Sequence, residues 1–276
     1  MGRGSDALVL RLDDVVDGRP LAVARIGVGM AGLLNCAESW VVFVKIESRD
    51  AVAVPTWDWL PHVSSTGAAV LASAGVIGAI FVIAGLATRA GAVALAAVLA
   101  TVMLLEQQTY SNHVALSMWC ALWLVVSHSD ARWSLRSRID GPRDVRVADQ
   151  FLLMTQVSVV YAFTGLLKVN PAFLSGRVIQ ENSHLDISDP LAQAMALGAV
   201  VTEIGLCIGL WFARARWLAA AAGVALHTSI PIVMYQPLPL VSFSISVVCL
   251  YPLFFARRVP VRHEELGRGT FASVPA

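Results

Sequence analysis

Residues 66–106 read TGAAVLASAGVIGAIFVIAGLATRAGAVALAAVLATVMLLE, two apolar runs interrupted only by Thr88-Arg89-Ala90. A helix that crosses a bilayer needs about 20 mostly apolar residues, and 66–88 and 90–106 each read as one such crossing. Joined this tightly, they form a helical hairpin. Their Ala and Gly content suits helices that approach closely where no hydrophobic force acts between them. Working outward, the pattern recurs at 20–44, 111–128, 149–169, 194–212, 216–235 and 238–256. The last two are divided by Tyr235-Gln236-Pro237-Leu238-Pro239, where proline ends one helix and restarts the next. The expected fold class is therefore all-α: a polytopic membrane helical bundle of about eight transmembrane helices. It occupies residues 20–258, with extensions at 1–19 and 259–276.

Composition points the same way. The chain has 276 residues, of which 57% are hydrophobic and 14% charged, with a mean hydropathy of +0.69. A soluble domain carries about 45–50% apolar and about 25% charged residues. Disorder, nucleic-acid binding and a disulfide-stapled secreted domain are excluded. Cys36, Cys120, Cys207 and Cys249 lie in apolar runs without a CxxC pair, so they read as buried free thiols rather than metal ligands or a redox pair. Arg11, Asp13, Asp14 and Asp17 break up the start, and the apolar run that follows is too long for a cleaved signal.

The basic residues set the expected topology. With the N-terminus inside and eight crossings, all but Lys45, Arg49, Lys168 and Arg177 of the twenty Lys and Arg fall on the inner side, as the positive-inside rule requires. Adding or removing one span destroys the pattern. Both termini are thus expected to be cytoplasmic, in a multi-pass protein of the plasma or inner membrane. Two long outer excursions, 47–65 and 170–193, are expected to lie on the surface or fold back as a lid, and Trp57, Trp59 and Trp133 fit interfacial belts.

Polar groups inside such spans are costly and normally face the bundle interior. Here they gather toward the outer side: Glu38, the run Glu106-Gln107-Gln108, Asn112 and His113, Lys168, Glu203, His227 and Gln236. A carboxylate as deep as Glu203 needs a partner, and His113, His227 and Lys168 are the candidates. Taken singly, Lys168 could snorkel to the headgroups and either histidine could be a satisfied interior group. Their convergence on one level marks the expected site. The inner half holds Arg25, expected to meet a lipid phosphate or an inner carboxylate.

Two of these segments resemble a known family. Tyr110-Ser111-Asn112-His113 resembles the Asn-His motif of the vitamin K-dependent gamma-carboxylase superfamily. The stretch Tyr161-Ala162-Phe163-Thr164-Gly165-Leu166-Leu167-Lys168 resembles its Tyr-x-x-x-Gly-x-x-Lys motif, followed by a short segment ending at Gly176. The bacterial members are the HTTM (horizontally transferred transmembrane) domain proteins, and the likeness runs from about Arg19 to Arg258. The resemblance implies a carboxylase-like lyase. In that family a reduced naphthoquinone (a vitamin K or menaquinone-type hydroquinone) reacts with oxygen, the resulting base takes a proton from a peptide glutamate, and carbon dioxide captures the carbanion. Lys168 would be the base toward the hydroquinone, with His113 and Asn112 orienting the reacting groups. Tyr161, Glu203 and His227 would bind the cofactor. A lipid-shielded lysine loses hydration, and a general base must be neutral to act. The implied partners are the bilayer, a lipid-soluble quinol, and an exported peptide or membrane protein. The animal enzymes carry a large extra-membrane domain for propeptide recognition, for which 276 residues leave no length, so the likeness is to the membrane domain and its pocket.

Two other functions fit a polytopic bundle. A transporter needs polar groups continuing to the inner face and paired broken helices, and neither stands out. A non-catalytic escort of another membrane protein would tolerate replacement of Lys168 and His113.

Overall fold

The computed structural model describes residues 11–57, 59–60 and 63–259. Its principal helices are α1 (Arg19–Glu47), α2 (Ser65–Ala84), α3 (Thr88–Leu105), α4 (Asn112–Val126), α5 (Leu135–Asp140), α6 (Ala148–Leu167), α7 (Pro171–Leu174), α8 (Arg177–Asn182), α9 (Asp189–Gly209), α10 (Arg216–Val233) and α11 (Pro237–Val248), which a 3-10 turn at Tyr251–Phe255 continues. Seven helical segments are long and apolar enough to cross a membrane; the eighth apolar helix, α4, has 15 residues, about 22 Å by helical rise. The chain is a polytopic helical bundle, as expected. Helix α1 packs against α2, α4 and α11, α6 pairs with α9, and α10 bridges α9 and α11.

Strand β1 (Val15–Val16) pairs antiparallel with β2 (Val145–Arg146), and Val16 also bridges to Arg258. The start of the described chain, the connection after α4 and the end of α11's extension therefore meet at one end of the bundle, as an even number of crossings demands. Residues 11–19, expected as a loose extension, are instead built into this end: Val147 N–H donates to the Asp14 carbonyl at 2.9 Å and Asp17 N–H to that of Arg257 at 3.0 Å. There a hydrogen bond from the Arg19 side chain holds the Asp17 carboxyl below its usual range. Residues 1–10 and 260–276, the outer parts of the two extensions, lie outside the described residues.

The hairpin turns earlier than its sequence suggests. Gly85 adopts φ +68 and its N–H returns to Phe81 and Val82, while Thr88 already belongs to α3. Side chains are strained in that backbone region, and a Cβ at Gly85 would also lie 1.9 Å from a guanidinium nitrogen of Arg25. Arg25 itself is fully buried. Rather than hydrogen-bonding a carboxylate of the described residues, it donates to the Val82 carbonyl at 3.0 Å and the Trp133 carbonyl at 2.6 Å. The negative end of the α2 dipole offsets its charge, so Arg25 ties α1 to the α2 terminus and to the inner connection.

A second polar tie runs through the middle. Asn35 Nδ2 donates to Ser117 Oγ at 2.8 Å, Ser242 Oγ donates to Asn35 Oδ1 at 2.5 Å, and Ser117 and Ser246 hydroxyls lie 3.1 Å apart. This chain joins α1, α4 and α11, and interhelical hydrogen bonds of this kind replace hydrophobic drive in a lipid-embedded bundle. Glu106, Gln107 and Gln108, read with the outer polar cluster, are structural: Glu106 accepts from Val54 N–H at 3.0 Å, and Gln107 and Gln108 donate to Pro55 and Val52 carbonyls. They fasten the first outer excursion to the end of α3.

Helices α2 and α3 cross with backbones in contact, a Cβ on Gly78 lying 2.8 Å from the Gly91 carbonyl. Gly78→Val is therefore expected to cost about 1–3 kcal/mol by overpacking, read as a lowered thermal midpoint in detergent. Val70→Leu on the exposed face should leave that midpoint unchanged.

Candidate functional site

A cavity of about 530 Å³ opens away from the arginine-rich end, among α4, α6, α9, α10 and α11. Asn112, His113, Lys168, Glu203, His227 and Gln236 line its polar side. Its apolar side includes Leu226, Ile230, Leu240 and Phe243. Five of the six residues read from the sequence as site residues thus share one cavity. The sixth, Tyr161, does not: it is fully buried behind His227, and its hydroxyl lies 2.7 Å from His227 Nε2. Expected among the cofactor-contacting residues, Tyr161 therefore lies outside the cavity lining.

The local sequence explains each placement. Lys168 is the C-terminal cap residue of α6, where the helix ends and a long side chain can turn inward. Glu203 lies within α9 at 2% exposure, and Lys168 Nζ donates to its Oε1 at 2.5 Å. Of the three partners the sequence offered, only the lysine pairs with it. His113 instead meets Glu38 Oε2 of α1 at 2.7 Å, with the Ser111 hydroxyl 3.3 Å from the same Nε2. Proline at 231 removes the amide that would have bonded the His227 carbonyl. Ser244 Oγ takes that carbonyl over at 2.8 Å, which ties α10 to α11 at the cavity wall.

The second outer excursion folds over the opening. Asn170 caps α7 by accepting from Phe173 N–H at 3.0 Å, and Phe173, Val178, Ile179 and Asn182 line the cavity from above. Phe173 also faces the Lys168 ammonium, with 5.7 Å between the nitrogen and the ring centre. The cover is pinned to the end of α10 by Tyr235 N–H donating to the Asn182 carbonyl at 2.8 Å and by a bridge between Ser183 and Met234.

Three polar atoms of this wall are buried without a protein partner: Glu203 Oε2, His227 Nδ1 and Thr164 Oγ1. Buried polar atoms are normally satisfied, and these three belong to side chains around one space. The volume falls within the roughly 300–1,000 Å³ of small-molecule sites. The arrangement can hold a largely apolar guest bearing hydrogen-bonding oxygens and can exchange a proton with it.

The sequence matches the family model described as the HTTM domain over residues 14–257. This chain belongs to the HTTM domain family. Comparison with curated proteins and with solved structures gave no significant match. The HTTM match spans every helix that contributes to the cavity. One residue of the cavity lining, Thr164, was not singled out from sequence: it sits within the Tyr-to-Lys motif but carries no charge to draw notice. Glu38, one of the polar groups gathered toward the cavity's end of the bundle, is the His113 partner.

Removing one partner of a buried ion pair is costly because the other charge stays behind. Glu203 is the buried partner, whereas the Lys168 side chain is 28% exposed. Lys168→Met is therefore expected to destabilise by about 3–5 kcal/mol and Glu203→Gln by less. Lys168→Met combined with Glu203→Leu should recover most of the loss, as measured by thermal unfolding in detergent.

Proposed function

We propose that this HTTM-domain protein is a membrane enzyme that binds a reduced quinone-type cofactor in the cavity and acts on an exported peptide or protein. The observation that carries this reading is the Lys168–Glu203 pair beside an apolar cavity, with the second carboxylate oxygen of Glu203 unpartnered. The donor set fits such a guest: Lys168 and Glu203 at one oxygen, His227 at another, and Leu226, Ile230 and Phe243 against an apolar ring. When bound, a reduced naphthoquinone would supply, with oxygen, the strong base that a carboxylation requires, and carbon dioxide would supply the carboxyl group.

The chain's own part is binding and proton handling. As a pair, Lys168 and Glu203 carry no net charge, and their mutual attraction offsets part of the cost of holding them in a lipid-shielded wall. Glu203 Oε2 is placed to accept a proton from a bound hydroxyl, and the neighbouring ammonium offsets the charge that remains. General-base help of this kind typically contributes 10²–10⁴-fold. His113, fixed by Glu38, and Asn112 orient groups entering from the opposite wall. Phe173 and Ile179 of the cover exclude water, which strengthens every polar contact beneath them. The cavity lining stops short of the arginine-rich end, where the fully buried Arg25 is engaged with backbone carbonyls, and this favours catalysis over transport.

Turnover of a reduced menaquinone analogue by the purified protein in detergent tests the proposal. Lys168→Ala is expected to abolish turnover, at least 10²-fold, while membrane insertion persists. Unchanged turnover in that variant rejects the assignment, and co-purification of a stable membrane partner with Lys168 and His113 both dispensable would favour the escort reading.

A further inference from the structure

Behind the cavity wall lies a short hydroxyl chain. Tyr251 Oη is 2.5 Å from Tyr161 Oη, which is 2.7 Å from His227 Nε2. Tyr161, Tyr251 and His227 are all buried, at 0%, 3% and 1% exposure. Tyr251 Oη lies where a Cβ on Gly223 would approach to 2.4 Å, so the glycine makes room for it against α10. Among the described residues, the one recorded hydrogen-bonding neighbour of the Tyr251 hydroxyl is Tyr161.

Counting protons decides the direction of this chain. A neutral imidazole carries one N–H and one bare nitrogen, and the partner of His227 is a phenol rather than a carboxylate. Were the ring proton on Nε2, it would donate to Tyr161 and Tyr161 to Tyr251. The Tyr251 proton would then be buried without an acceptor, and Nδ1 would be left as an unpaired acceptor too. With Nε2 bare, Tyr251 donates to Tyr161, Tyr161 donates to Nε2, and both phenols are satisfied. The single unmet group is then Nδ1–H, itself buried, on a ring that lines the cavity.

We infer that Tyr251 and Tyr161 act as positioning residues that fix His227 as a donor at Nδ1, so that the cavity selects a guest with an acceptor oxygen on the His227 side and a hydroxyl on the Glu203 Oε2 side. The direction of the chain stands on the hydrogen-bond geometry alone. The nature of the two-oxygen guest rests on the quinol-binding reading above. A dihydroxylated ring meets both requirements, whereas a ring with one hydroxyl meets one.

Two measurements separate the parts. The first is nitrogen NMR of the full chain in lipid nanodiscs with isotope-labelled histidine, the His227 ring assigned through its own backbone. It should show a protonated Nδ1 and a bare Nε2 in at least about tenfold excess over the other tautomer. Tyr161→Phe should erase that preference. A protonated Nε2 in the unaltered protein, or the same preference in Tyr161→Phe, overturns the inference. The second is anaerobic binding of menadiol against a methylnaphthol lacking its second hydroxyl. Menadiol should bind about threefold to tenfold tighter, with the difference lost in Tyr161→Phe. Equal binding of the two overturns the selection, while binding of neither refutes the quinol reading and leaves the tautomer measurement to decide the positioning role.

Discussion

A polar atom taken out of water must find a partner inside the protein, and nearly every feature of this bundle follows from that constraint. With lipid as the solvent, apolar burial no longer discriminates between helices, so hydrogen bonds and close backbone contact decide which helices meet. Arg25 spends its donors on carbonyls at the end of α2 and on Trp133. Asn35 gathers serines from α4 and α11. The carbonyl that Pro231 leaves free is taken by Ser244. In each case the requirement of one group positions another helix.

Against that background the exceptions carry meaning. Among the described residues nine buried side-chain atoms lack a protein partner, and three of them, Glu203 Oε2, His227 Nδ1 and Thr164 Oγ1, belong to residues that line one cavity. In the proposed reading, the carboxylate oxygen and the imidazole nitrogen among them are the partners offered to a polar guest. The cover made by α7 and α8 belongs to the same design, since Phe173 both lines the cavity and faces the Lys168 ammonium.

Much of this was legible in the chain. The eight apolar runs lie within a few residues of the observed helices, apart from α9, which begins at Asp189 rather than near 194. The convergence of Asn112, His113, Lys168, Glu203 and His227 could be read because charged and amide side chains are conspicuous within apolar helices. The role of Tyr161 could not, because a tyrosine behind a histidine and a tyrosine touching a ligand leave the same trace in sequence. Nor could the partners of Glu203 and His113 be assigned, since each depends on how α1, α4, α6 and α9 are rotated about their axes. The run at 106–108 misled for a related reason: its polarity serves a loop that only the folded chain brings alongside.

The sequence by itself determined that the chain is a lipid-embedded helical bundle with a basic end and a polar opposite end, because hydropathy and charge are local properties and the bilayer reads them one span at a time. Only the tertiary structure decided which polar groups cancel one another and which stay without a protein partner. Pairing is set by a few ångströms between residues 35 to 75 positions apart, Lys168 with Glu203 and His113 with Glu38, and no periodicity along a chain encodes such distances.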